Sequence, residues 1–202
     1  MRYMNRRDFI RHMGRMAAAA AVAPFFLPRA AEAAWQTGGS GSAGVHIRET
    51  HLRFRSLENR DTTDVIILHH IGNTNADVSA ATVHRWHLAN GWAGIGYHYV
   101  IRKDGTIERG RPRDTVGAHC YGENWHSVGV NLVGNFETAW PTDAQVDAAE
   151  RLVARLCMMY GLRPGEDTIK GHRDFNATAC PGEHLYDLLP DVIAGVQMRY
   201  GM

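Results

Sequence analysis

Between residues 63 and 198 the chain alternates short apolar runs with longer amphipathic stretches, and residues that favour turns divide them. The first run, Thr63 to His70, holds Val65-Ile66-Ile67-Leu68 without a polar break, after the polar turn Asn59-Arg60-Asp61. An unbroken β-branched and apolar run predicts a strand buried on both faces. It ends in His69-His70 and a loop, Ile71-Gly72-Asn73-Thr74-Asn75. Ser79 to Asn90 predicts a helix with an imperfect stripe of Val83, Trp86 and Leu88 or Asn90, stopped by Gly91. Gly96 to Arg102 and Ile107 to Arg109 predict a hairpin turned on Asp104-Gly105. Strand alternation puts Tyr97, Tyr99 and Ile101 on one face and His98 and Val100 on the other.

The second half repeats the pattern. Arg111 to Ser127 predicts a long loop, a length found mostly where a loop binds something. Val128 to Gly134 is another buried-type strand. Thr142-Asp143-Ala144-Gln145 is a capping box. It opens a helix with a stripe of Val146, Ala149, Val153, Leu156, Cys157 and Tyr160, which Gly161 ends. Thr168-Ile169-Lys170 predicts a short strand, and His184 to Met198 one last helix. Helices alternating with short strands predict an α/β fold, a central mixed β-sheet flanked by α-helices. The strand order is not encoded in this pattern.

The first forty-odd residues have a different character. Arg6-Arg7-Asp8-Phe9-Ile10, an Ala-rich run from Met16 to Leu27 and Ala31-Glu32-Ala33 follow one another as in a twin-arginine export signal. Residues 1–33 are therefore expected to be a signal peptide and residues 34–44 a Gly/Ser-rich linker, with the catalytic domain over 45–202. The protein is expected to use the twin-arginine export machinery and to reside in the periplasm or outside the cell.

Composition narrows the function. Lys and Arg number 22 against 21 Asp and Glu, a formal net charge of +1, which is no footprint for a nucleic-acid partner. Of the three cysteines, Cys157 lies on a helix stripe and reads as a buried thiol, with a Cys120–Cys157 disulfide as the alternative. The informative stretch is Gly171-His172-Arg173-Asp174-Phe175-Asn176-Ala177-Thr178-Ala179-Cys180-Pro181-Gly182. On a helix, His172 and Cys180 would stand about 12 Å apart. A shared metal therefore requires a curled loop, and Asn176, Pro181 and Gly182 favour one. His69, at a strand exit, is the best third ligand. His84 and His87, three apart on a predicted helix, are a weaker pair without the His-Glu-x-x-His pattern. Three protein ligands with a fourth position left to water are the layout of a catalytic zinc, and the chemistry implied is hydrolysis of an amide or ester. A Cys180–His172 cysteine hydrolase and a structural zinc protein are the competing readings.

Four blocks carry a resemblance: TDVIILHHIGNT, RWHLANGWAGIGYHYVIRKDGTIERGR, VGAHCYGENWHSVGVNLVGNF and GHRDFNATACPG. From Thr63 to Gly182, in that order, they resemble the type 2 N-acetylmuramoyl-L-alanine amidase and peptidoglycan recognition protein family. The resemblance implies that family's fold and a groove for peptidoglycan or muropeptides. It implies one catalytic Zn2+ on His69, His172 and Cys180, with Tyr97 and Thr178 at the reacting centre. It makes His119 and Asn124 of the long loop substrate-binding candidates. The implied reaction is hydrolysis of the amide between N-acetylmuramic acid and L-alanine in cell-wall remodelling or turnover; separately, the protein is expected to be a monomer. A non-catalytic peptidoglycan-binding module is the alternative within the same family.

Overall fold

The computed structural model describes residues 44–201. The expected signal and most of the expected linker lie outside the described residues. Val65 to His70 forms β2, every residue of it buried. Its period of two divides it between two environments. Ile66 and Leu68 join the large core, whereas Val65 and Ile67 join a small cluster with Cys120 and Phe175 on the other face. A strand with both faces covered needs apolar residues at consecutive positions, which is why the run is unbroken.

The other strands are β1 (Ile47–Arg48), β3 (Tyr99–Ile101), β4 (Ile107–Arg109), β5 (Ser127–Leu132) and β6 (Ile169–Gly171). They form one sheet in the order β1-β4-β3-β5-β2-β6. Only the β3–β4 hairpin is antiparallel; β1–β4, β3–β5, β2–β5 and β2–β6 are parallel, so the sheet is mixed. Helix α1 (Ala80–Ala89) covers one face through Ala80 and Val83, which pack with Ile95, Val100 and Val133. Helix α2 (Asp143–Tyr160) covers the other with Ala148, Ala149, Leu152, Val153, Leu156 and Cys157. Its start is the expected capping box of Thr142 and Gln145, and Gly161 ends it in the left-handed conformation at φ 66°. No helix among the described residues is long and apolar enough to cross a membrane.

The structure departs from the sequence pattern in three places. The last helix is two: α3 (Glu183–Asp187) and α4 (Leu189–Arg199), parted at Leu188. Pro190 has no N–H and its ring would meet the carbonyl of Tyr186, so it opens a new helix and cannot continue the old one. Secondly, β1 has no counterpart in the pattern; two residues are too few to show a period. Thirdly, Tyr97 does not share a face with Tyr99 and Ile101; it packs with Val100. The consecutive N–H groups of Gly110 and Arg111 donate to the consecutive carbonyls of His98 and Tyr97, an irregularity that rotates the chain just before β3. The three cysteines are free thiols, as the buried-thiol reading of Cys157 expects, with no Cys120–Cys157 bridge.

Candidate metal centre

Parallel pairing brings the two histidines together. Leu68 of β2 is in register with Gly171 of β6, so the next residues, His69 and His172, stand side by side. Their ring centroids are 4.6 Å apart. A single 3-10 turn, His172–Asp174, then starts the return of the chain. Asp174 accepts the Gly171 N–H at 2.8 Å and the Tyr186 hydroxyl at 2.6 Å. Arg173 donates to the Ala179 carbonyl at 2.7 Å and closes the loop. Cys180 arrives with Sγ 3.5 Å from His69 Nδ1, where the His70 N–H donates to the sulfur at 3.4 Å. One ligand atom each from His69, His172 and Cys180 lies within 4.8 Å of the others. The curled loop demanded by the His172–Cys180 spacing is present.

The donor chemistry fits zinc. Burial first, and then neighbouring histidines, push His69 well below the ordinary imidazole range. Burial likewise lowers His172, so both offer lone pairs at neutral pH. Burial pushes the Cys180 thiol up to about 12, so without a cation it keeps its proton. Two neutral imidazoles and one sulfur, with no carboxylate in the group, suit zinc and do not suit calcium or magnesium. The same raised thiol speaks against Cys180 as a free nucleophile, since the thiolate is the reactive form.

Each imidazole is held by its outer nitrogen. His172 Nε2 lies 3.1 Å from Asn176 Oδ1 and donates to it, leaving Nδ1 inward. His69 Nε2 lies 3.0 Å from His119 Nδ1. His119 is only 5 % exposed and stands behind the His69 ring. Asn124 is a loop brace, its Oδ1 accepting the N–H groups of His119 and Cys120 at 2.8 and 3.1 Å. His70, the other half of the strand-end pair, points to the opposite face and accepts the Phe136 N–H at 3.1 Å.

Tyr97 stands beside the ligands, its ring centroid 5.1 Å from that of His69. The segment before it is gripped by α1. His84 Nδ1 accepts the Ile95 N–H at 3.1 Å and His87 Nδ1 accepts the Gly96 N–H at 3.0 Å. The i, i+3 histidine pair thus positions Tyr97 and binds no metal with those atoms. Thr178 Oγ1 accepts the Cys180 N–H at 3.2 Å, which leaves its hydroxyl proton free to donate. His98 is structural: it is fully buried, accepts the Gly129 N–H at 3.0 Å through Nδ1, and has Nε2 2.8 Å from the Thr115 carbonyl. Asn131 is a residue that the sequence pattern does not single out. It sits in register between His69 and Val100, fully buried, and neither amide atom has a hydrogen-bond partner among the described residues. A lone amide inside the apolar run of β5 is the signal that marks it.

Comparison with known proteins agrees with this geometry. The family described as N-acetylmuramoyl-L-alanine amidase matches residues 59–183. The endolysin of Klebsiella phage KP32 is 36% identical over 133 residues, which cover 62% of this chain and 84% of the endolysin. Among solved structures, the N-acetylmuramoyl-L-alanine amidase LysC from Clostridium intestinale aligns with a TM-score of 0.67 and 31% identity, over 74% of this chain and 97% of LysC. A tyrosine-to-phenylalanine mutant of Drosophila PGRP-LB in complex with tracheal cytotoxin aligns with a TM-score of 0.63 and 27% identity, over 70% of this chain and 90% of that one. The site, the sheet and these likenesses lead to one assignment: the chain belongs to the N-acetylmuramoyl-L-alanine amidase family and has its fold.

Proposed function

We propose that this protein is a zinc-dependent amidase that cleaves the amide joining N-acetylmuramic acid to the L-alanine of a peptidoglycan stem peptide. The observation that carries the reading is the convergence of His69, His172 and Cys180 donor atoms within 4.8 Å, with Tyr97 at their side. Those three residues would hold the zinc, which when bound supplies a Lewis acid and water activated near neutral pH. The chain's own groups do the rest. Burial keeps both imidazoles unprotonated, so they remain ligands at neutral pH. Asn176 and His119 fix which nitrogen of each ring faces inward. Tyr97 donates a hydrogen bond from its hydroxyl to the carbonyl oxygen as negative charge develops there, and Thr178 is placed to donate a second one. Removing one such donor costs about 2.7–4 kcal/mol of barrier. Water adds across the amide, leaving the lactyl carboxyl on the sugar and a free amine on L-alanine.

The substrate class follows from the relatives, which include an endolysin and a recognition protein bound to tracheal cytotoxin. The Arg6-Arg7 signal pattern supports export through the twin-arginine route and a role on the cell wall outside the inner membrane. Incubation with purified peptidoglycan, with and without a zinc chelator, tests the reading. New N-terminal L-alanine peptides by mass spectrometry, lost with chelator, are expected. Sedimentation with the wall and no released peptide would replace the enzyme with a binding module. Tyr97→Phe that still binds zinc and turns over at the wild-type rate would remove Tyr97 from the mechanism.

A further inference from the structure

We propose that the 117–124 loop is the outer clamp of the metal centre. In this reading, which rests on the zinc site proposed above, His119 and Asn124 are positioning residues for the ligands. The loop reaches both histidines by separate routes. On one side His119 Nδ1 meets His69 Nε2 at 3.0 Å, and His119 Nε2 lies 3.4 Å from Ser127 Oγ. On the other side the Tyr121 carbonyl accepts Asn176 Nδ2 at 3.1 Å, and Asn176 Oδ1 is the group that holds His172 Nε2. Asn124 ties the two routes by capping the N–H groups of His119 and Cys120 with one oxygen.

Proton placement gives the chain a direction. For His69 to present a lone pair at Nδ1 toward Cys180, its proton must be on Nε2 and be given to His119 Nδ1. His119 must then carry its own proton on Nε2, where Ser127 can accept it. The opposite order would put a proton on His69 Nδ1, facing Cys180, and close that ligand position. His119 thereby selects the binding tautomer of His69, the role that outer-shell partners of metal-bound histidines perform. The surroundings hold the ring in place. Glycines at 117 and 129 lie against the imidazole, and a Cβ on Gly129 would come 2.5 Å from its Cγ. The His98 ring stands at 5.5 Å, and solvent reaches 5 % of His119. Little of the ring is left for a wall fragment to meet.

The test is zinc affinity, measured on the full chain by competition with a chromogenic chelator, beside the melting temperature of each zinc-free protein. His119→Ala and Asn124→Ala are expected to weaken zinc by about 10–100-fold. His119→Gln, whose side-chain oxygen can accept from His69 Nε2, is expected to fall between His119→Ala and wild type. Nitrogen-15 chemical shifts of the histidine rings in the zinc-free wild type are expected to show His69 protonated on Nε2. A folded His119→Ala with wild-type zinc affinity and a raised KM would overturn the clamp and return His119 to substrate binding. Should His119→Ala fail to fold, His119→Gln and Asn124→Ala decide by the same criterion. A wild-type protein that takes up no zinc overturns the proposed function itself; wild-type binding with indifferent variants overturns only the clamp.

Discussion

Gly129→Ala is the sharpest perturbation that the structure offers. Gly129 lies in the middle of β5, in register with Ile67, and its φ is one that alanine adopts freely. The effect of the substitution is therefore steric. The added methyl would lie 2.5, 2.6 and 2.8 Å from Cγ, Cδ2 and Nδ1 of His119. Carbon atoms in comfortable contact stand about 3.5–4.0 Å apart, so the ring has to retreat by about 1 Å. Gly117 closes the space beside the ring, with no room for a Cβ of its own. A displacement of that size lengthens the 3.0 Å contact with His69 beyond hydrogen-bond range. Overpacking of this kind costs about 1–3 kcal/mol. In a domain of this size each kcal/mol moves the melting temperature by about 2–4 °C. A fall of about 2–12 °C by calorimetry is thus expected, with zinc affinity reduced about 10–100-fold. Gly165→Ala, where a Cβ meets nothing within 4 Å, is the control and should change stability by less than about 0.5 kcal/mol. A Gly129→Ala protein with the wild-type melting temperature and zinc affinity would refute the packing of His119 on β5.

Three further outcomes are expected. Asn131→Leu should stabilise the protein to urea by about 1 kcal/mol, because an unpaired buried amide costs about 1–3 kcal/mol; a clear loss of stability would reveal a partner for that amide. His98, held to about 3 by burial and by Arg60, stays neutral when folded and takes up its proton near pH 6.5 when unfolded. Stability is therefore complete above that value and falls with pH below it. Zinc-free protein at pH 5.5 should lose about 1.4 kcal/mol on this account, so in urea unfolding His98→Gln should lose about 1.4 kcal/mol less than the wild type between pH 7.5 and pH 5.5. The thiols of Cys120, Cys157 and Cys180 are each pushed up to about 12, so folded zinc-free protein should resist iodoacetamide at pH 7. Rapid alkylation of Cys180 would revive the cysteine-hydrolase reading.

The candidate ligands and most elements are legible in the sequence because their signals are local. β2 announces itself by an unbroken apolar run, α2 by its cap and stripe, and the ligand loop by turn residues between His172 and Cys180. What is not legible depends on pairing between distant segments. Nothing near Arg111 to Ser127 in sequence says that His119 meets His69, fifty residues upstream. Only the register of β2 on β5 and β6 makes them neighbours. His84 and His87 have the right spacing for a metal pair, yet they hold the backbone before Tyr97, a use that spacing cannot distinguish. The face of Tyr97 is hidden for a related reason: the irregular pairing of residues 97 and 98 with 110 and 111 breaks the alternation.

The period of two in β2 explains how a buried central strand can also carry the site. Ile66 and Leu68 face α2 and α4, where the large core draws its stability from apolar area. Val65, Ile67 and His69 face the thinner layer made by the long loop, where Cys120, Phe175 and His119 lie. The same six residues thus anchor the fold on one side and aim a ligand on the other. Substitutions of Ile66 or Leu68 act on folding, and substitution of His69 acts on the candidate metal site. Gly129 is a position where the two meet, because the strand that pairs with β2 also provides the floor under the histidine that orients His69.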